Sequence, residues 1–364
     1  MSLSAAAAPE LLTQAWPLPA APRPITIIGA GSIVADAHLP AYRALGFTVE
    51  AIIDPELQRA GRLAERWGVP QASSTLEPGT WHADTIFDVA VPPQALDQVL
   101  ASLPRGAAVL VQKPLGLDLA HATRLRDLAH ARGLVAAMNF QLRFAPSMLA
   151  LAQLVRSGAL GELVDLEVRV ACSMPWAQWP FLRGLERIEF TQHSIHYLDL
   201  LRSLAGEPRR VWARAVTHPG ADGLAATRSS AILDLGDHLR CTLSMNHHHA
   251  HGPRHEASEL RVEGTRGAAV VRMGVNLDYP VGRPDSLEVA LDGRPWCDVP
   301  LLGSWFPEAF RGPMCNLQRF VAGEDDALVS PLADAWRTMQ LVEALYASSD
   351  HGGTPLPEDH GAAP

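Results

Sequence analysis

Lysine is almost missing from this chain. Of the 30 Lys and Arg residues among 364, one is lysine, Lys113, and the other 29 are arginine. Arginine keeps the charge but does not release its proton, and its planar fork does not replace a compact ammonium. The one position that kept lysine is therefore a candidate for chemistry. Cysteine is scarce as well. Cys172, Cys241, Cys297 and Cys315 lie far apart with no Cys-x-x-Cys pair, a spacing that fits reduced thiols better than a disulfide frame or a zinc site. No apolar run reaches the roughly 18–20 residues that a bilayer span needs. There is no basic excess either: the net charge of −9 argues against a nucleic-acid binder, which needs a basic face for phosphates. The first residues, through Pro24, are rich in Ala and Pro. They lack the positively charged start and unbroken apolar stretch of a secretory signal. They read as a flexible arm over 1–23, either packed on a neighbouring subunit or idle, and the expected location is cytoplasmic.

What remains is ordinary globular composition, 48% hydrophobic and 19% charged, in a chain long enough for two domains. Over 24–145, short apolar runs alternate with helical patterns. Strands are expected at 24–28, 47–53, 86–91, 107–111 and 134–138, with helices between them, including 56–67, 94–103 and 118–132. Continuously apolar strands separated by helices predict a doubly wound parallel sheet, an α/β domain whose ligands sit at the carboxyl ends of the strands. From 146 onward a helix is followed by a strand at 163–171 and a series of strands between about 210 and 299, with a last helix from about 331 to 349. This predicts an α+β domain on a largely antiparallel sheet over 146–364.

At the first strand–helix turn, Gly29-Ala30-Gly31-Ser32-Ile33 fits a dinucleotide fingerprint. Gly29 permits the tight turn and Gly31 lets backbone approach a pyrophosphate at the helix N-terminus. The third glycine is replaced by Val34. Asp54 ends the second strand, where a carboxylate accepts hydrogen bonds from the ribose hydroxyls of the adenosine half. A 2′-phosphate there meets like charge, and Arg59 is the nearest arginine after it, so NAD is expected over NADP.

Gly29-Ala30-Gly31-Ser32-Ile33 with His38 and Pro40, then Val91-Pro92-Pro93, Gln112-Lys113-Pro114, Asn139-x-Gln141-x-Arg143-Phe144-x-Pro146, Gly158-x-x-Gly161-Glu162, His196-x-x-Asp199 and Glu263-Gly264-Thr265-x-Gly267 follow one another in a specific order. In this order the sequence resembles the glucose–fructose oxidoreductase, inositol dehydrogenase and MocA family, over nearly everything after the arm. The resemblance implies a nicotinamide oxidoreductase acting on a sugar, polyol or sugar acid, with Val91, Pro92, Pro93, Gln112, Asn139 and Arg143 near the cofactor. It also implies a homodimer or homotetramer paired through the second sheet.

The family usually reads Glu-Lys-Pro where this chain has Gln112-Lys113-Pro114, and its lysine lies beside the nicotinamide. An ammonium there hydrogen-bonds the reacting oxygen and stabilises an alkoxide. The family also places an Asp four residues before a His on one helix. Here Gln192 takes that place and His196 is retained, with His193 between them. Positions i and i+4 share a helix face. His196, titrating near neutrality, is the expected base for a substrate hydroxyl, and Gln192 can only orient substrate. Two amides in place of two carboxylates predict a more electropositive pocket around Lys113, suited to an anionic sugar acid, with Arg143 as carboxylate partner.

Trp176 and Trp179 precede the His196 helix and stand equally for sugar stacking and for packing. Asn246-His247-His248-His249 with His251 and His255 matches no zinc spacing. It reads as a loop on the cleft rim from which Asn246 or His247 touches substrate, with no metal. Three functions stay open on these residues: a net dehydrogenase, a lyase, isomerase or glycosidase that recycles tightly held NAD, and a non-catalytic NAD-binding protein.

Overall fold

The computed structural model describes residues 12–77, 81–221, 223–279 and 281–355. Strands β1 (Ile25–Ile28) and β4 (Ile86–Val89) are buried at every position, as strands covered on both faces must be. Together with β2 (Val49–Ile53), β3 (Gln71–Ser73), β5 (Ala108–Gln112) and β6 (Val135–Asn139) they form a six-stranded parallel sheet in the order β3-β2-β1-β4-β5-β6. Helices α1 (Leu39–Ala44), α2 (Leu57–Trp67), α3 (Leu96–Ser102) and α4 (Leu119–Ala131) connect the strands. The order reverses direction at β1/β4, and that switch point opens a crevice at the carboxyl ends of the strands. The expected first helix has a feature the sequence did not signal. Val34–His38 form a wider π-helical turn before α1 begins.

After α5 (Pro146–Arg156), strand β7 (Leu163–Ala171) enters a second sheet. Its other members are β8 (Arg210–Val216), β9 (Arg228–Asp234), β10 (Arg240–Asn246), β11 (Ala257–Gly264), β12 (Gly267–Arg272), β13 (Ser286–Leu291) and β14 (Cys297–Val299), in the order β14-β13-β12-β11-β7-β10-β9-β8. Every pairing is antiparallel except β7 with β10. Along β9 and β10, buried Ser229, Ala231, Leu233, Cys241, Leu243 and Met245 alternate with outward residues, the pattern of a sheet packed on one face only. Helices α6 (Ile195–Ala205) and α8 (Leu332–His351) join their buried side chains to the same core.

Two expectations about organisation change. Residues 12–23 are not a loose arm, because their own chain binds them along its length. Gln14 donates to the Pro300 carbonyl and accepts from Leu302 N–H, both at 2.8 Å. Trp16 Nε1 donates to Asp325 at 2.7 Å, and Arg23 N–H donates to Gln318 at 2.8 Å. Residues 1–11 of the expected arm lie outside the described residues. The first domain's core is also not closed by 24–145 alone. Helix α7 (Arg311–Val321) returns to it, burying Met314, Cys315 and Leu317 with Ile25, Leu110 and Ala137, while Ser330 binds both the N–H and the C=O of Met138.

Candidate active site

The strand-end loops build a cradle. Gly29 has φ +106°, and a Cβ there would lie 2.2 Å from the Ala90 carbonyl oxygen, so only glycine lets β1 turn under the loop after β4. Gly31 is the opposite case: a Cβ would meet nothing within 4 Å, because the backbone faces open space where the helix begins. Ser32 is exposed and Val34, the missing third glycine, is wholly buried. Asp54 is oriented by its own loop, accepting from Ala30 N–H and Glu56 N–H at 2.9 Å each, with Arg59 at 3.6 Å. Open backbone at a helix start plus a fixed carboxylate one strand away suits a dinucleotide's pyrophosphate and ribose. Val91, Pro92 and Pro93 line the next strand end, and Gln112 and Asn139 pair across the ends of β5 and β6.

Lys113 follows β5, and its Nζ donates to the backbone carbonyl of Gln192 at 2.9 Å. The carbonyl belongs to a second π-helical turn, Glu189–Ser194, that leads into α6. Such turns frequently sit at functional sites. The simple i, i+4 spacing expected for Gln192 and His196 therefore spans a widened turn, and it is the Gln192 main chain that meets the lysine. Burial lowers the Lys113 ammonium from 10.5 to about 8. Burial and then the Lys113 charge hold His196 well below the usual imidazole range. His193 is lowered too, by burial first and then by His247, Lys113 and His196. His193 Nε2 and His196 Nδ1 are buried without a hydrogen-bond partner among the described residues. Orphaned ring nitrogens beside a partly desolvated amine are what a bound hydroxylic molecule would satisfy.

Several expected residues do other work. Arg143 does not reach the cleft as a free fork. Its Nε and NH2 bind both oxygens of Asp199 at 2.6 Å each, NH2 also binds Asp334 at 2.6 Å, and NH1 donates to the Val329 carbonyl at 3.0 Å. Four of its five N–H donors are spent in this buried network, so it offers no free two-pronged fork to a substrate carboxylate. Asn139 is buried and donates to His38 at 3.3 Å, whose Nδ1 binds Asp88 at 2.6 Å, and Tyr42 donates to the same carboxylate at 2.8 Å. This network ties the first helix to β4 through Asp88. The Asn246 side-chain Oδ1 accepts from His248 N–H at 3.1 Å and shapes its loop. Trp176 is met edge-on by His193 at 5.3 Å and lies parallel to His248 at 6.3 Å, while Trp179 packs edge-on against Tyr279 at 5.1 Å.

A carboxylate also stands behind the cleft histidines. Glu189, wholly buried, binds His247 Nδ1 at 3.0 Å and accepts from the Ser194 hydroxyl at 2.7 Å. No sequence signal marked Glu189. Asp88 did carry one, a lone carboxylate in the apolar run Ile86-Phe87-Asp88-Val89.

Comparison with known proteins adds the context. Residues 24–140 match the oxidoreductase family with an NAD-binding Rossmann fold, and residues 148–270 match the GFO/IDH/MocA C-terminal domain. A 1,5-anhydro-D-fructose reductase of Ensifer adhaerens is 25% identical over 265 residues, 70% of this chain and 77% of that protein. A D-apiose dehydrogenase of Paraburkholderia graminis is 24% identical over 349 residues, covering 90% of this chain and 88% of the relative. Among solved structures, an Agrobacterium radiobacter oxidoreductase in complex with NAD+, L-tartaric acid and magnesium shares the fold with a TM-score of 0.77 at 19% identity, covering 92% of this chain and 98% of that one.

Proposed function

The chain belongs to the GFO/IDH/MocA family of NAD-binding oxidoreductases, and from that premise we propose that it is a dehydrogenase of a neutral sugar or polyol, with Lys113 as the proton acceptor. The observation that carries this reading is the placement of Lys113. The only lysine stands at the carboxyl end of β5, lowered to about 8, its Nζ anchored on the Gln192 carbonyl beside His193 and His196.

NAD, when bound, supplies the acceptor for a hydride from the substrate carbon. The chain's part is to hold that carbon's hydroxyl and take its proton. A neutral amine still donates one N–H to the Gln192 carbonyl and presents its lone pair elsewhere. Among the cleft bases, Lys113 lies nearest the operating pH, where proton transfer is most effective. His196, held neutral but only weakly basic, hydrogen-bonds the same hydroxyl and orients it. This reverses the division of labour expected from the sequence.

Two findings favour a neutral substrate over a sugar acid: the Arg143 fork is consumed by Asp199 and Asp334, and Glu189 puts a buried carboxylate behind the cleft histidines. The relatives named above support sugar chemistry in general. The cytoplasm is the compartment that suits the buried free thiols Cys172, Cys241 and Cys315. Two copies would pair through the open face of the second sheet. There the register partners Trp212 and Ile232 are 54% and 49% exposed, an apolar pair of the kind interfaces cover.

The test is NADH formation by the purified protein across neutral sugars, polyols and sugar acids, with Lys113→Met beside it. Turnover on a neutral compound that the variant loses supports the reading. Activity confined to sugar acids overturns the neutral-substrate part, and nucleotide binding without any turnover moves the reading to internally recycled NAD.

A further inference from the structure

Glu189 is an anomaly in this fold. A carboxylate with no solvent access costs several kcal/mol unless its oxygens are satisfied. Here three donors converge on it: His247 Nδ1 at 3.0 Å on Oε2, and the hydroxyls of Ser194 at 2.7 Å and Ser229 at 3.4 Å on Oε1. They come from three separate elements, the end of β10, the π-helical turn and β9. The one that leads toward the cleft is the histidine. A carboxylate on Nδ1 selects the tautomer and fixes the ring plane.

That ring is not a bystander. His247, 2% exposed, stacks on His193 with centroids 4.5 Å apart and planes 30° from parallel. Trp176 also meets His193, edge to face at 5.3 Å. His193 thus touches two rings, one of them anchored by Glu189, and its Nε2 is buried with no hydrogen-bond partner among the described residues. It is electrostatically coupled to Lys113 and to His196. Glu189 and Ser194 bracket the Gln192 carbonyl that binds Lys113, so the same turn carries the lysine's anchor and the histidine's support.

We propose that Glu189, acting through His247, is a positioning residue for the substrate site, fixing His193 so that Nε2 binds a second substrate hydroxyl beside the one that reacts at Lys113. Sugars and polyols carry the neighbouring hydroxyls this asks for, one taken by the lysine and one by the imidazole. The proposal rests on the dehydrogenase reading of the site, and it assigns to Glu189, with no contact to substrate, the control of substrate affinity.

The experiment compares wild type with Glu189→Gln, Glu189→Asp, His247→Phe and the Glu189→Gln/His247→Phe double variant. Each is checked for an unchanged melting profile and for NADH affinity by fluorescence titration. On whichever diol the wild type oxidises, Glu189→Gln and His247→Phe each raise KM about tenfold, the worth of one lost hydrogen bond, with kcat changed much less. Glu189→Asp recovers part of the loss, and the double variant is no worse than the poorer single. Unchanged KM in both singles, or losses that add in the double, overturn the proposal. If the wild type oxidises nothing, the dehydrogenase reading fails on its own. The positioning claim is still read from ring-nitrogen NMR of the histidines, where Glu189→Gln must shift the His193 signals, and His193 signals that do not move refute it.

Discussion

Lys113 Nζ donates to the backbone carbonyl of Gln192 at 2.9 Å, so the only lysine of the chain ties the end of the nucleotide-binding sheet to the turn that carries the cleft histidines. The bond does two things. It holds the amine at a fixed point in the cleft whether or not it is protonated, and it uses one of its hydrogens on a neutral acceptor rather than on a carboxylate. No counter-charge then opposes the effect of burial, and the ammonium is lowered to about 8.

Removing that amine separates function from stability. Lys113→Met is expected to lose about 10²–10⁴-fold in turnover, the usual range for a positioned proton acceptor, while binding NADH as before. It is also expected to be more stable below pH 8. The folded-state value, about 8, lies below the unfolded 10.5. The cost of the buried charge is therefore fully present below pH 8 and fades as pH rises toward 10.5. The ceiling is on the order of 3 kcal/mol, reduced by about 1 kcal/mol for the lost bond to Gln192. Thermal melts at pH 7 and pH 10 check this. A variant less stable than wild type at pH 7 contradicts it.

The same titration sets the direction of the pH profile. Oxidation needs the neutral amine, so kcat/KM for the alcohol rises with pH through a midpoint near 8. Reduction of the matching ketone needs the ammonium and falls through the same midpoint. The groups facing Lys113 are His193 and His196, both kept neutral by burial and by the lysine itself, so neither adds a second step near neutrality. A profile governed by a base with a midpoint below 6 would assign the proton to His196 instead.

The parallel sheet was legible because a continuously apolar strand has few places to go: Ile25–Ile28 and Ile86–Val89 are buried at every position. Lys113 was legible through the absence of other lysines. The partners of Arg143 and His247 were not. Asp334 lies 191 residues from Arg143 and Glu189 lies 58 from His247, and nothing local in either segment encodes a pairing made by the closed fold. Helix α7 carries Gly312 and Pro313 in its first turn, which weakens its helical pattern in sequence although proline is tolerated at a helix start. The π-helical turn at Glu189–Ser194 leaves no mark in hydrophobic spacing at all.

The two glycines of the cradle are expected to fail in different ways. Gly29→Ala forces a Cβ to within 2.2 Å of the Ala90 carbonyl at φ +106°, so the β1 turn must move and the protein loses roughly 2 kcal/mol or more of stability. Gly31→Ala meets no atom within 4 Å among the described residues beyond its own chain neighbours and should fold normally. Its methyl group instead occupies the space left for the pyrophosphate, and NADH affinity falls at least about tenfold. Melting curves and fluorescence titration on the pair decide it. Normal NADH binding by folded Gly31→Ala would move the pyrophosphate away from this turn.

Arg143 supplies the opposite test, of a residue whose position in the motif suggested the cleft and whose contacts place it in the core. Its guanidinium answers both oxygens of Asp199, 1% exposed, and one of Asp334, and Arg202 reaches the same two carboxylates at 4.0 Å and 3.0 Å. Removing one member of such a network leaves an uncompensated buried charge, which typically costs about 3–5 kcal/mol. Arg143→Met should therefore unfold at markedly lower urea than wild type, and the folded fraction should keep the wild-type KM for a neutral substrate. Arg143→Lys should recover little, since a single ammonium cannot bind Asp199 through two parallel bonds. An Arg143→Met protein of normal stability with a raised KM would show instead that the fork turns toward the cleft when substrate is bound, and would reopen the case for an acidic substrate.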